Sequence, residues 1–382
     1  MCSPRWPQVS VRRRPASSLA RVLLWSDLAL SGVDGYAKKN NRRAARKDVN
    51  AMQRPYSFGF FLVPDFAILP FASATDPLRV ANWLSGCQLY DWRFLSDSGE
   101  PVVSSNGIAV SAHLSIDQPQ DLDAVVVVAG GRTAAVYRDK KVFGWLRRCA
   151  RQRCRIGAVG LGSFVLARAG LLEGHRCTVH WQNLAGFREE FPHLEVTNEV
   201  FEINQGRFTC SGGTAALDLM LAIIAEQHGK ELATRVAEEL IHGRIRTSDD
   251  DQRMPLRLRL NTANPKLINT VSLMELYLED PLSCAELSAR VGLSVRQLEK
   301  LFRSHLGNSP RNYYVELRLR QAQKLLRQTT MSILEIGLAS GYSSASHFSR
   351  AYRDYFSRTP RSERNNGRDM RTHPATQHAD IH

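Results

Sequence analysis

The stretch Ser283-Cys-Ala-Glu-Leu-Ser-Ala-Arg-Val-Gly-Leu-Ser-Val-Arg-Gln-Leu-Glu-Lys-Leu-Phe302 decides the architecture of the C-terminal part of the chain. Leu287 and Val291 fall four residues apart on one face of a first helix, and Gly292 lets the backbone turn. Ser294 can accept hydrogen bonds from the free N–H groups of a second helix, whose apolar positions Leu298, Leu301 and Phe302 recur at helical spacing. Two short helices joined by a glycine turn form a helix-turn-helix, the unit that lays one helix in the DNA major groove.

The design then recurs. Ser332 opens a helix carrying Ile333, Ile336 and Ala339, Gly341 takes the turn, and Phe348, Ala351, Tyr352 and Tyr355 give the next helix its apolar stripe. Between the two units, Val315, Leu319, Ala322 and Leu326 fall at i, i+4, i+7 and i+11, the pattern of one continuous amphipathic helix. A rigid spacer of this kind suits two recognition helices entering successive turns of one DNA face, roughly 34 Å apart.

The outward positions supply DNA chemistry. Ser294, Arg296, Gln297, Lys300 and Arg303 in the first unit, with Ser344, Ser346, Ser349, Arg350 and Arg353 in the second, are candidate contacts to phosphates and base edges. Any one arginine on such a helix is as readily a solvated surface charge, so the pairing of the units carries the reading. Ile333, Ile336, Gly341-Tyr342, Ser346, Phe348, Arg350, Tyr352, Phe356, Thr359-Pro360 and Arg364 resemble the signature of the AraC/XylS family of transcription regulators. Gly337 stands where that family prefers Ala, and Ser357 where it usually has Gly. The resemblance implies an all-α DNA-binding domain over 265–364, with double-stranded promoter DNA and RNA polymerase as partners and activation as the commonest role.

Charge separates this domain from what precedes it. The 382 residues carry a net charge of +14, distributed as +9 over residues 1–54, −1 over 55–264 and +6 over 265–382. A near-neutral middle between basic ends sets a region that meets small molecules or protein apart from one that meets polyanion. Seven cysteines without a CxxC pair point to a reduced, cytoplasmic setting. The apolar interlude at 19–30 is broken by Arg21, Ser26 and Asp27 and is too short for a membrane span. Residues 1–54 read as a basic disordered arm, or as the consequence of a start set upstream of Met52, and 365–382 as a disordered tail.

Residues 55–230 alternate strands and helices, which predicts an α/β domain with a parallel sheet covered on both faces. Strands are expected at 58–63, 92–95, 108–110 and 125–128, helices at 71–84, 142–152, 164–169 and 214–228, and a hairpin about Asn204-Gln-Gly206, with a linker over 231–264. In Arg155-Ile-Gly-Ala-Val-Gly-Leu-Gly-Ser-Phe-Val-Leu-Ala167 a strand runs straight into a glycine turn and a helix, exposing the turn at the sheet edge where ligands settle. Gly160-Leu-Gly162 lacks the third glycine of a dinucleotide fingerprint, and no cofactor is expected.

Four stretches, Asp76-Pro-Leu-Arg-Val-Ala-Asn82, Ala129-Gly130-Gly131, the turn at Gly160 and Thr178-Val-His-Trp181, resemble the DJ-1/PfpI domain, related to class I glutamine amidotransferases. That resemblance implies a flavodoxin-like fold whose enzymes carry a nucleophilic cysteine on the elbow. Here Gly160 stands at that position, so covalent catalysis has no nucleophile and no enzyme is expected. Asp76, Gly130, Gly131, Gly160, Leu161, His180 and Trp181 are the candidate ligand residues. A carboxylate and an aromatic face suit a cation, so the expected effector is a small amino acid or quaternary amine.

Each of these has a plainer reading: Asp76 as a helix N-cap before Pro77, Trp181 as core, and Cys177 and His180, though spaced C-x-x-H, as a buried thiol and a strand-end histidine. The two domains together resemble the GlxA-like group of regulators, which includes sensors of arginine, carnitine or glycine betaine, and imply a homodimer through the middle domain. An amidotransferase-like enzyme tethered to DNA, and a middle domain serving only dimerisation, remain the alternatives.

Overall fold

The computed structural model describes residues 54–365 apart from 132 and 330, so nearly all of the expected arm and tail lie outside the described residues. The strands are β1 (Tyr56–Leu62), β2 (Tyr90–Ser96), β3 (Val102–Val103), β4 (Ala109–Val110), β5 (Leu114–Ser115), β6 (Ala124–Ala129), β7 (Arg155–Gly160), β8 (Phe201–Asn204) and β9 (Arg207–Cys210). Seven form one sheet in the order β5-β2-β1-β6-β7-β9-β8. Every pair in it is parallel except β8 with β9, which close the expected hairpin. A parallel sheet must be covered on both faces, and β6 is accordingly buried along its whole length.

Alternate side chains of β1 and β6 feed two separate cores. Phe60 and Val126 pack with α1 (Ile68–Ser85), α6 (Ala215–His228) and α7 (Lys230–Glu239) on one face. Phe61 and Val127 pack on the other with α3 (Lys140–Arg151), α4 (Gly162–Arg168) and α5 (Leu184–Glu190); the short α2 (Thr133–Val136) follows β6. The doubly covered α/β domain is the expected one.

Two local expectations are corrected. The strand expected at 108–110 shrinks to β4, which pairs antiparallel with β3 outside the main sheet. The stretch from 231 is not all linker, because α7 buries Ala233, Val236 and Ala237 in the first core. Beyond it, Asp218 on α6 is fully buried and accepts from His242 Nε2, Arg246 N and Arg246 Nε, each at 2.8 Å, so residues 242–246 are also tied to the domain.

The C-terminal helices are α8 (Leu256–Arg259), α9 (Pro265–Leu276), α10 (Cys284–Arg290), α11 (Val295–Leu306), α12 (Pro310–Gln328), α13 (Ile333–Ala339) and α14 (Ala345–Phe356). They enclose two small cores that share α12. Tyr314 packs with Leu267, Leu287, Leu298 and Phe302, while Leu319, Ala322 and Leu326 pack with Ile336, Phe348 and Tyr352. The spacer predicted from four apolar positions is thus the common wall of both units. Capping boxes at Ser283/Glu286, Ser294/Gln297 and Ser332/Glu335 start α10, α11 and α13.

The two turn glycines match in conformation as in sequence, Gly292 at φ 65° and Gly341 at φ 77°, a region that penalises a Cβ. Gly337 admits the close approach of α14, since a Cβ there would lie 3.3 Å from Phe348 Cβ. Ser357 takes the left-handed position, φ 56°, that caps α14. Tyr355, expected in the apolar stripe, is 42% exposed, and Phe356 packs there instead because 348, 352 and 356 follow one another at four-residue steps.

Candidate functional site

The sequence-predicted DNA face comes together along two helices. On α11, Ser294 caps the N-terminus through Gln297 N (3.2 Å), Gln297 Oε1 accepts from Ser294 N (2.8 Å), and Arg296, Lys300 and Arg303 are exposed. On α14, Ser344 accepts from His347 N (3.2 Å), Ser346, Arg350 and Arg353 are exposed, and Ser349 is half-buried. Among the described residues Arg296, Lys300, Arg350 and Arg353 form no ion pair, whereas Arg303 lies 3.8 Å from Glu299. The polar side chains of one recognition helix therefore have their counterparts on the other. The exposed His347, against Tyr342 at 5.5 Å, joins this face and was not among the predicted residues.

The second helix-turn-helix is held to the spacer by Arg318. Its Nε donates to the Ser340 carbonyl (2.8 Å) and another guanidinium nitrogen to that of Gly341 (2.6 Å), with the group 4.3 Å over the Tyr342 ring. Three interactions tie the turn between α13 and α14 to α12.

In the α/β domain, four of the predicted ligand residues lie together at the carboxyl ends of the central strands β6 and β7. Ala129 and Gly160 are register partners, and Leu161 N donates to the Ala129 carbonyl at 2.9 Å, which sets Gly130, Gly131, Gly160 and Leu161 side by side. Gly160 has φ 67°, the strained elbow geometry, and a Cβ built there would collide with the Ala129 carbonyl oxygen. Gly212 closes the other side, its Cβ position 2.9 Å from Gly160 Cα. The elbow keeps its backbone shape without room for the side chain that would make it a nucleophile.

Burial disfavours the thiolate at the cysteine beside the elbow and at two others in the domain. Cys210 is fully buried, within hydrogen-bonding reach of the Gly160 and Gly212 backbones, and burial pushes its pKa up to about 11. Burial likewise takes Cys154 and Cys177 to about 12. A protonated buried thiol is neither nucleophile nor metal ligand. Cys177 packs in the second core, and among the described residues no group of three His, Cys, Asp or Glu is placed to hold a metal ion.

Asp76, His180 and Trp181 are placed otherwise than expected. Asp76 lies inside α1, which begins eight residues earlier, and pairs with Arg79 at 2.7 Å on an exposed face; it neither caps a helix nor meets the elbow. Pro70 is the α1 residue near Gly160, 3.8 Å from its Cβ position. Ser163 Oγ donates to the Thr178 carbonyl at 2.8 Å, but the chain then turns toward the C-terminal domain. Trp181 lies 4.7 Å under the Arg253 guanidinium and 4.6 Å under Lys324 Nζ of α12. Burial and then Lys324 lower the pKa of His180, so the imidazole is held neutral.

Gln252 ties this loop to the connecting segment. Its Oε1 accepts from Trp181 N (2.7 Å), and its Nε2 donates to Thr178 Oγ1, Val179 O and Glu199 O at 3.1, 3.2 and 2.9 Å. Gln252, Arg253 and Lys324 escaped sequence reasoning, because nothing in their local patterns announces a partner in another domain.

Comparison with known proteins agrees with both halves. Residues 78–226 match the DJ-1/PfpI family, and residues 287–366 match a helix-turn-helix domain. The chain is 45% identical over 313 residues to the HTH-type transcriptional regulator GbdR of Pseudomonas aeruginosa, covering 82% of this chain and 85% of that one. It is 39% identical over 321 residues to the HTH-type transcriptional regulator GlxA of Rhizobium meliloti, covering 84% and 98%. A crystal structure of an AraC family transcriptional regulator from Pseudomonas putida, 30% identical, spans 49% of this chain and 100% of its own at a TM-score of 0.45. No helix among the described residues is long and apolar enough to cross a membrane.

Proposed function

Since the chain belongs to the GlxA- and GbdR-type family of HTH transcriptional regulators, which join a DJ-1/PfpI domain to an AraC-type DNA-binding domain, we propose that it is an effector-controlled activator that reads promoter DNA with both recognition helices. The observation that carries this is the equivalence of α11 and α14. Each presents two exposed cationic side chains free of ion pairs among the described residues, Arg296 and Lys300 on α11 and Arg350 and Arg353 on α14, and both helices are anchored to one α12. At 1.5 Å per residue that spacer is about 28 Å long, a length compatible with one turn of DNA between the two contacts.

The α/β domain acts in this reading as a sensor without catalysis. The glycine elbow and the buried, protonated Cys210 support that assignment. The effector, a small amino acid or quaternary amine from the pathway whose genes are controlled, is assigned to the strand ends at Gly130, Gly131, Gly160 and Leu161. It does so without Asp76 or Trp181, whose charge and ring face are engaged by Arg79, Arg253 and Lys324. Two protomers joined through this domain would present recognition helices to paired half-sites and to RNA polymerase. Mapping protected promoter DNA with and without arginine, carnitine and glycine betaine tests the reading. Two protected patches per protomer, one helical turn apart and altered by one of these compounds, are expected. A single patch, or a pattern indifferent to every compound, contradicts it.

A further inference from the structure

The junction of the two domains encloses a cleft of about 650 Å³, and small-molecule sites run from about 300 to 1,000 Å³. Trp181 of the sensor loop, Arg253 of the connecting segment and a face of α12 form its walls. Its lining has five cationic side chains against two carboxylates. Arg259 is satisfied by Glu275 at 2.9 Å, Arg320 by Glu316 at 2.6 Å, and Arg327 from outside the cleft by Glu363 at 2.6 Å. Arg253 reaches Glu275 only at 3.4 Å, sharing it with Arg259.

Lys324 has no such partner. Among the described residues it forms neither ion pair nor hydrogen bond; its ammonium lies 4.6 Å from the centroid of the indole that Arg253 also covers at 4.7 Å. Burial, and next the Arg253 charge, lower its pKa. One aromatic ring offset by two like charges is a poor substitute for a counterion, and in a partly dehydrated space an anion gains more from such a pair than it would in water.

We propose that this cleft binds a small anion, a carboxylate or phosphate group, between Lys324 and Arg253 beside Trp181. The site is separate from the glycine-lined strand ends of the sensor sheet and does not depend on what binds there. Its three walls belong to the sensor loop, to the segment that Gln252 clamps, and to the helix shared by both helix-turn-helix units. An occupying anion therefore stabilises the docked arrangement of the domains, and it shifts that equilibrium by no more than its difference in affinity for docked and undocked forms.

The test is thermal unfolding of the full chain with inorganic phosphate or citrate as probe, at ionic strength matched with chloride. A rise in Tm of about 3 °C is expected at ten times the Kd. The rise should vanish in Lys324→Gln and in Arg253→Gln and persist in Lys324→Arg. Lys324→Gln relieves a like-charge contact, so without probe it should melt no lower than the parent, while Arg253→Gln, which also gives up its 3.4 Å pair with Glu275, is read only by its response to the probe. Equal stabilisation by chloride, or an undiminished rise in both neutral variants, overturns the site. Promoter binding without probe separates the readings. It should be unchanged in both variants, and a uniform loss of DNA affinity would make the cleft a contact to the nucleic-acid backbone instead.

Discussion

The helix-turn-helix half and the α/β half build their candidate surfaces by opposite means. On α11 and α14 the working groups are long side chains pointing into solvent, each positioned by its own helix and cap. At the elbow the working surface is backbone, drawn from β6, β7 and the turn at Gly212, with glycines where side chains would collide. A surface made by periodicity tolerates change residue by residue. One made by the convergence of separate segments depends on the whole domain.

The largest expected effect lies in that dependence. Asp218 is buried against the Arg246 guanidinium and the His242 imidazole, and Asp218→Ala strands both inside the α/β domain. A loss of about 3 to 5 kcal/mol in urea unfolding is expected, against little change for Ala at exposed Arg353. A loss comparable to that of a surface substitution would mean that residues 242–246 are not held by this carboxylate.

Next comes the elbow itself. Gly160→Cys forces a side chain into a left-handed φ and against the Ala129 carbonyl, at a cost of about 2 kcal/mol. A neutral result would show that the elbow has room for the nucleophile and would revive an enzymatic reading. In the DNA-binding half, Ser357→Gly relaxes a positive φ at the α14 cap. A gain of about 0.5 to 1 kcal/mol is expected there, and a loss would place the serine side chain in a contact that the glycine removes.

The same contrast explains how much of the molecule could be read from its residues. The helix-turn-helix units and the spacer follow from spacing, caps and two glycines, and the structure places each of these helices and both turns, with Tyr355 outside the stripe expected of it. The sheet was readable where β-branched runs are buried, as at Val125 to Val128, and lost where two residues suffice, as in β3 and β5. Asp76 misled because its place was inferred from resemblance, whereas α1 carries it onto an exposed face paired with Arg79 and brings Pro70 near Gly160 instead. Trp181 misled because its ring is covered by residues distant in sequence, Arg253 and Lys324, and local pattern is silent about what another domain brings.

The central claim is that both recognition helices read DNA, and equilibrium binding of Arg296→Ala and Arg350→Ala to a promoter fragment tests it most directly. Each variant is expected to lose about 1 to 3 kcal/mol and to relax base preference at a different position of the site, the two positions about one helical turn apart. Parent and variants should all weaken as salt rises, since phosphates are neutralised with counterion release. Wild-type affinity and specificity in both variants at several salt concentrations would contradict the account.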